Sequence, residues 1–209
     1  MSARPGLFIS FEGGEGAGKS TQARRLADTL RQTGREVVLT REPGGTEAAE
    51  AIRALLLDPK TVLSALADTM LHFAARADHV AQVIAPALAR DAVVICDRFY
   101  DSTLAYQGYG MGVALADIRA LIGLIKLKPD LTFILEVPNS IAKKRLRLRG
   151  GGADRYERMD EAMTARIAQG FRDIAAAEPA RCRLVDASQN VETVFNSICS
   201  ALKLQFNIP

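Results

Sequence analysis

The chain has 209 residues, 48% of them apolar and 24% charged, with 27 basic against 24 acidic residues and a net charge of +3. That length predicts one domain with a core large enough to stand without disulfides, and the composition excludes a disordered chain. So small a net charge does not by itself imply a nucleic-acid binder, and any preference for anions has to come from local clustering.

Leu7 to Phe11 is a short apolar run ending in glycines, the pattern of a buried strand. Lys19 to about Gly34 places Ala23, Leu26, Ala27 and Leu30 on one helical face, and Gly34 is a natural stop. Glu36 to Thr40 predicts a second strand and Thr46 to Leu57 a helix. Leu63, Leu66, Met70, Phe73, Ala77, Val80 and Ile84 recur at steps of three and four, which predicts a long amphipathic helix that Pro86 kinks or restarts. Ala92 to Cys96 is an uncharged β-branched run, hence a central strand. Helices follow over 113–126, 140–148, 157–178 and 191–206, with strands over 131–137 and 181–185. Strands alternating with helices give a three-layer α/β/α domain on a parallel five-stranded sheet. Ligands of such sheets sit beyond the carboxyl ends of the strands. Cys96, Cys182 and Cys199 show no CxxC or Cys/His spacing and read as reduced residues of a cytoplasmic protein. There is no signal-peptide pattern and no run of about 18 apolar residues, so no membrane span is expected.

After the first strand comes Gly13-Gly14-Glu15-Gly16-Ala17-Gly18-Lys19-Ser20, then Thr21, matching G-x-x-x-x-G-K-[ST] at every fixed position. Glycines let the backbone curl so that successive N–H groups converge on a phosphate, and the helix that follows adds its free amides and dipole. In this motif Lys19 reaches the β- and γ-phosphates and Ser20 offers a hydroxyl to Mg²⁺. A dinucleotide fingerprint is excluded, because its third glycine would fall where Lys19 stands. The motif specifies a nucleoside triphosphate with Mg²⁺ and leaves the acceptor open.

The second strand runs into Arg41-Glu42-Pro43-Gly44-Gly45-Thr46, and the third into Asp97-Arg98-Phe99-Tyr100 followed by Asp101 to Gly108. Arg41 and Arg98 at neighbouring strand tips suit a monophosphate between two guanidinium forks. Local pairing, Arg41 with Glu42 and Arg98 with Asp97 or Asp101, is the alternative. Asp97 can hold Mg²⁺ directly or through water, or simply end its strand. The segments FEGGEGAGKST, TREPGGT and DRFYDSTLAYQG, in this order, closely resemble the bacterial thymidylate kinase family, and the likeness spans nearly the whole chain.

The resemblance implies transfer of the γ-phosphoryl of ATP to thymidine 5′-monophosphate, with ATP and dTMP as small-molecule partners and a homodimer as the assembly. It implies that Glu15, an odd acid in an anion loop, contacts the sugar 3′-hydroxyl; a solvent-facing acid is the bland reading. Thr69, His72, Arg76 and His79 form a polar stripe on the long helix. Arg76 matches the family's base-reading arginine, aimed at the pyrimidine O4. Where the family commonly has a stacking phenylalanine this chain has His72, with Phe73 next to it on the core stripe, and both are carried as acceptor-side candidates. His79 is left on the surface. By the same resemblance Ser102 and Thr103 touch the base edge, with Gln107 close by, and Tyr106 packs on the sugar C2′ unless it is plain core.

Between Lys143 and Arg158 stand seven cations, Lys143, Lys144, Arg145, Arg147, Arg149, Arg155 and Arg158, against Asp154 and Glu157, around Gly150-Gly151-Gly152. A glycine- and arginine-rich connection between helices, over about 145–158, reads as a closing lid, though charge runs are often only solvated faces. In one family arrangement the catalytic arginine lies in the phosphate loop, where this chain has Gly16. In the other it comes from the lid, where Arg149 and Arg155 fit. Another nucleotide kinase, or an ATP-sensing switch without acceptor, remain as competitors. Nucleic-acid binding is disfavoured, because the basic run lacks interleaved aromatics.

Overall fold

The computed structural model describes residues 6–150, 155–157 and 159–206. Five parallel strands lie in the order β2-β3-β1-β4-β5: β1 Leu7–Gly13, β2 Val37–Arg41, β3 Val93–Asp97, β4 Leu131–Glu136 and β5 Cys182–Asp186. The chain leaves β1, adds β2 and β3 on one side, then crosses to β4 and β5 on the other. That reversal opens a crevice at the carboxyl ends beside β1. The register sets Phe11 level with Asp97 and Asp97 level with Arg41. The glycine loop, Asp97–Arg98 and Arg41 therefore leave one edge side by side.

Alternation sorts the strand side chains onto two faces. Ile9, Phe11, Val93, Ile95 and Phe133 pack under α1 (Lys19–Gln32) and α9 (Val191–Phe206). Phe8, Val94, Cys96 and Ile134 pack on the opposite face, with Phe99 edge-on to Phe8 at 4.9 Å between centroids. Glu12 shares that second face with Phe8 and Ser10, and it is fully buried.

The remaining helices are α2 Glu47–Leu57, α3 Ala65–His79, α4 Ala85–Ala89, α5 Tyr100–Thr103, α6 Leu115–Ile125, α7 Asn139–Arg149 and α8 Glu161–Ala177. Side-chain caps fix three of their starts: Thr46 accepts from the Ala49 amide at 3.1 Å, Ser64 from Ala67 at 3.2 Å and Asp160 from Met163 at 2.7 Å. The Asp160 cap explains why α8 begins four residues later than periodicity suggests. The long helix predicted over 63–84 is α3 followed by a wide π turn, Val80–Ile84, and then α4. Pro86 lacks an N–H and its ring crowds the carbonyl four residues back, and the widened turn absorbs this without a break. A second π turn, Leu104–Gly110, continues α5 and carries Tyr106 and Gln107. No helix among the described residues is long and apolar enough to cross a membrane.

Candidate active site

A cavity of about 710 Å³ opens at the carboxyl edge of β1, β2 and β3, with the glycine loop at one end and α3 at the other. Gly13, Gly16 and Gly18 have φ of 128°, 71° and 93°, values that side chains resist. Gly18 caps α1 without a side-chain bond, so the first amides stay available to an anion. The Lys19 ammonium folds back on the carbonyls of Gly13 (3.1 Å) and Gly14 (2.7 Å). Burial, with the Arg98 charge adding to it, lowers its pKa to about 8. The Ser20 hydroxyl donates to the Asp97 carboxylate. A hydroxyl beside a carboxylate oxygen is a hard-oxygen set that suits Mg²⁺.

Arg98 holds φ at 72°, and its amide donates to the Phe11 carbonyl at 2.8 Å. Its guanidinium donates to the Gly13 carbonyl (3.1 Å) and the Ser102 hydroxyl (3.0 Å), and pairs with Glu15. Tyr106 lies under it at 5.0 Å and donates its hydroxyl to Glu15 at 3.0 Å. Neither of the alternative local pairings forms. Arg41 instead reaches Glu50 at 3.1 Å, with its side chain 55% exposed, and Asp101 is clasped by buried Arg181 at 2.7 Å through both oxygens. Arg53 of α2 joins Arg41 and Arg98 along the cavity, its Nη1 on the Pro43 carbonyl at 2.8 Å. Sequence reasoning missed it, because a lone arginine on a helix carries no strand-end signal.

At the far end Arg76 is buried, donating to Glu42 at 2.6 Å and to the Thr103 hydroxyl at 3.1 Å. Its Nη1 is buried without a hydrogen-bond partner. An orphaned guanidinium donor on a cavity wall marks a place for an acceptor atom of a ligand. His79, expected on the surface, is fully buried and bonds Glu42 (3.0 Å) and Thr40 (2.7 Å). The expectation failed because a polar partner beneath the helix is invisible to periodicity. Phe73 is likewise corrected as a cavity residue: it is core, under the Arg76 guanidinium at 4.7 Å, and does not line the cavity. His72 does line it, with Nε2 2.8 Å from the Tyr156 hydroxyl. Burial and the Arg76 charge lower the His72 pKa to about 3, so the ring is neutral. Ser102, Thr103 and Gln107 line the same wall.

Arg155, expected over the transferring group, turns instead to the α3 end of the cavity, where it pairs with Asp68. Its neighbour Tyr156 has already committed its hydroxyl there, which draws the segment to α3 rather than to the loop. Among the described residues of the 143–158 stretch, Arg145 reaches the phosphate loop, 3.5 Å from the Gly16 carbonyl. The Arg149 side chain, Gly151, Gly152, Asp154 and Arg158 lie outside the described residues.

Glu12 was also missed, since it reads as the tail of an apolar strand. It accepts from the Phe99 amide at 2.7 Å and from the Ser102 hydroxyl. Burial, then the nearby Asp101 charge, raises its pKa to about 8. An acid inside LFISFEG was the available signal.

A profile described as thymidylate kinase matches residues 11–198. The chain is 52% identical to the thymidylate kinase of Gluconobacter oxydans over 204 residues, which is 96% of this chain and 95% of that protein. It is 50% identical to that of Pseudomonas fluorescens over 200 residues, 94% of this chain and 95% of that protein. The crystal structure of thymidylate kinase from Ehrlichia chaffeensis superposes with a TM-score of 0.77 at 36% identity, covering 94% of this chain and 98% of that one.

Proposed function

This chain belongs to the thymidylate kinase family and transfers phosphate to thymidine 5′-monophosphate, and on that premise we propose that ATP is the donor, seated by residues 13–21. The observation that carries the reading is one shared cavity with an anion cradle on the loop side and Arg41, Arg53 and Arg98 beside it. Arg98 reaches both, through Gly13 on one hand and Glu15 on the other.

An ionised oxygen of the acceptor phosphate attacks the γ-phosphorus of ATP in line. A new P–O bond forms as the bond to the β-phosphate oxygen breaks, and ADP leaves. The attacking oxygen carries no proton, so no strong general base is needed. Lys19 exchanges its carbonyl partners for the donor phosphates, and Arg98 with Arg41 and Arg53 holds the acceptor phosphate. Ser20 and Asp97 would hold Mg²⁺, which would supply neutralising charge to the donor phosphates. Arg145 on α7 brings positive charge to the loop side of the lid, which spans about 145–158. Arg149 remains the other candidate for that role. Glu15 and Tyr106 form the sugar end. The free Nη1 of Arg76 suits the O4 of thymine, and meets a donor instead of an acceptor in cytosine.

The exposed Leu66 (52%) and Met70 (56%) of α3, with Leu124 (73%) of α6, support a homodimer through these helices. Free cysteines, two of them buried, support a cytoplasmic location.

The test is ADP release with thymidine, uridine, cytidine and adenosine monophosphates. The thymidine acceptor should drive release, cytidine should not, and a chelator should abolish it until Mg²⁺ is restored. Slow ADP release indifferent to every acceptor would instead indicate an ATP-sensing switch.

A further inference from the structure

We propose that Asp68 is a positioning residue for the acceptor base, and that its carboxylate ties the lid to the wall against which that base is seated. The proposal rests on the reading of the cavity given above. Asp68 lies in the first turn of α3 with 1% of its surface exposed. Groups from three chain segments converge on it. Gln107 of the second π turn donates at 2.7 Å. The Tyr156 hydroxyl lies 3.1 and 3.2 Å from its two oxygens, and Arg155 pairs with it. His72 Nε2 stands 3.6 Å away.

The chemistry fixes which of these contacts carry weight. His72 is neutral, so it is not a counter-ion. Arg155 is the cation that meets this carboxylate among the described residues, and it belongs to the lid. Lifting the lid would strand a buried charge, which costs far more than a surface pair would. The Tyr156 hydroxyl donates to Asp68 while contacting His72 Nε2, so Asp68 sets the His72 ring through an intermediate oxygen. Tyr156 also packs edge-on to Tyr106 at 5.9 Å. Gln107, His72, Tyr156 and Tyr106 all line the cavity, and Asp68 stands behind them. The donor side does not depend on this knot, because α7 meets the phosphate loop directly at Gly16.

The test is steady-state kinetics with each substrate varied separately, on the wild type, Asp68→Asn, Tyr156→Phe and the double variant. Each single variant should raise the KM for thymidine monophosphate about tenfold, the scale of one charged hydrogen bond, and leave the KM for ATP within about twofold. The double variant should be little worse than the worse single one, as for residues in one network. Should Asp68→Asn fail to fold, Arg155→Met replaces it in the same cycle, since it removes the counter-charge and keeps the carboxylate. Equal rises in both KM values, multiplied effects in the double variant, or unchanged acceptor KM would each overturn the proposal. The wild-type control separates the levels. No thymidylate-dependent turnover removes the functional reading and this proposal together, whereas normal turnover with independent variants removes this proposal alone.

Discussion

Arg98 carries more of the site than any other side chain, since it touches the loop, the sugar end and the acceptor wall at once. Arg98→Ala should lower kcat by about 10²–10³-fold or more, the scale for losing a charge-stabilising donor, and Lys19→Ala should be as severe. Circular dichroism spectra matching the wild type are expected for both, and normal turnover in either would contradict the assigned roles. Glu12 gives a pH signature. Its pKa is about 8 in the fold against an ordinary 4.5, so between those values the folded state holds a proton that the unfolded chain has released. Stability of the free protein therefore declines as pH rises from about 4.5 to 8. Lys19 acts oppositely, binding its proton less tightly in the fold, so its contribution recovers between about 8 and 10.5. Urea melts across pH 5–8 should show a flatter slope in Glu12→Gln than in the wild type. Lys19, Ser20, Arg98 and Arg76 could be found in the sequence because motif spacing names them. Glu12, Arg53 and Asp68 could not, because burial and cross-element partners decide their roles and neither is written in local spacing.

Among the elements, the strands were legible because their apolar runs are short and bounded by glycine or charge. Their ends were off by one residue at β2 to β5 and by two at β1, which runs on to Gly13. The two π turns were not legible, since they answer to Pro86 in one case and to tertiary packing in the other. The junction of α7 with the phosphate loop is close-packed. A Cβ on Gly16 would stand 2.7 Å from the Ala142 carbonyl, at a φ of 71°. Gly16→Ala should cost about 1–3 kcal/mol in a thermal or urea melt, and it should lower kcat by pushing Arg145 off the loop. A variant as stable and active as the wild type would show that α7 yields freely.

At the scale of the whole molecule, the crevice follows from strand order; the βαβ alternation in the sequence implied the parallel sheet and the edge at which ligands sit, but not that order. The proposed homodimer was not legible, because Leu66 and Met70 fall on the same apolar stripe as core residues, and periodicity does not distinguish a neighbour in the chain from a neighbour in a dimer. Leu66→Glu with Met70→Glu should shift the protein to a monomer in sedimentation equilibrium while the melt stays within about 1 kcal/mol, as for exposed sites. A dimer unaffected by both charges would place the interface elsewhere.

The backbone contact between Gly16 and α7 also constrains how such an enzyme could evolve. Placing a guanidinium in the loop at this position would require a side chain where a helix carbonyl already sits. One codon change at that position would collide before it helped. The helix would have to retreat first, so a longer residue at Gly16 needs a compensating change in α7.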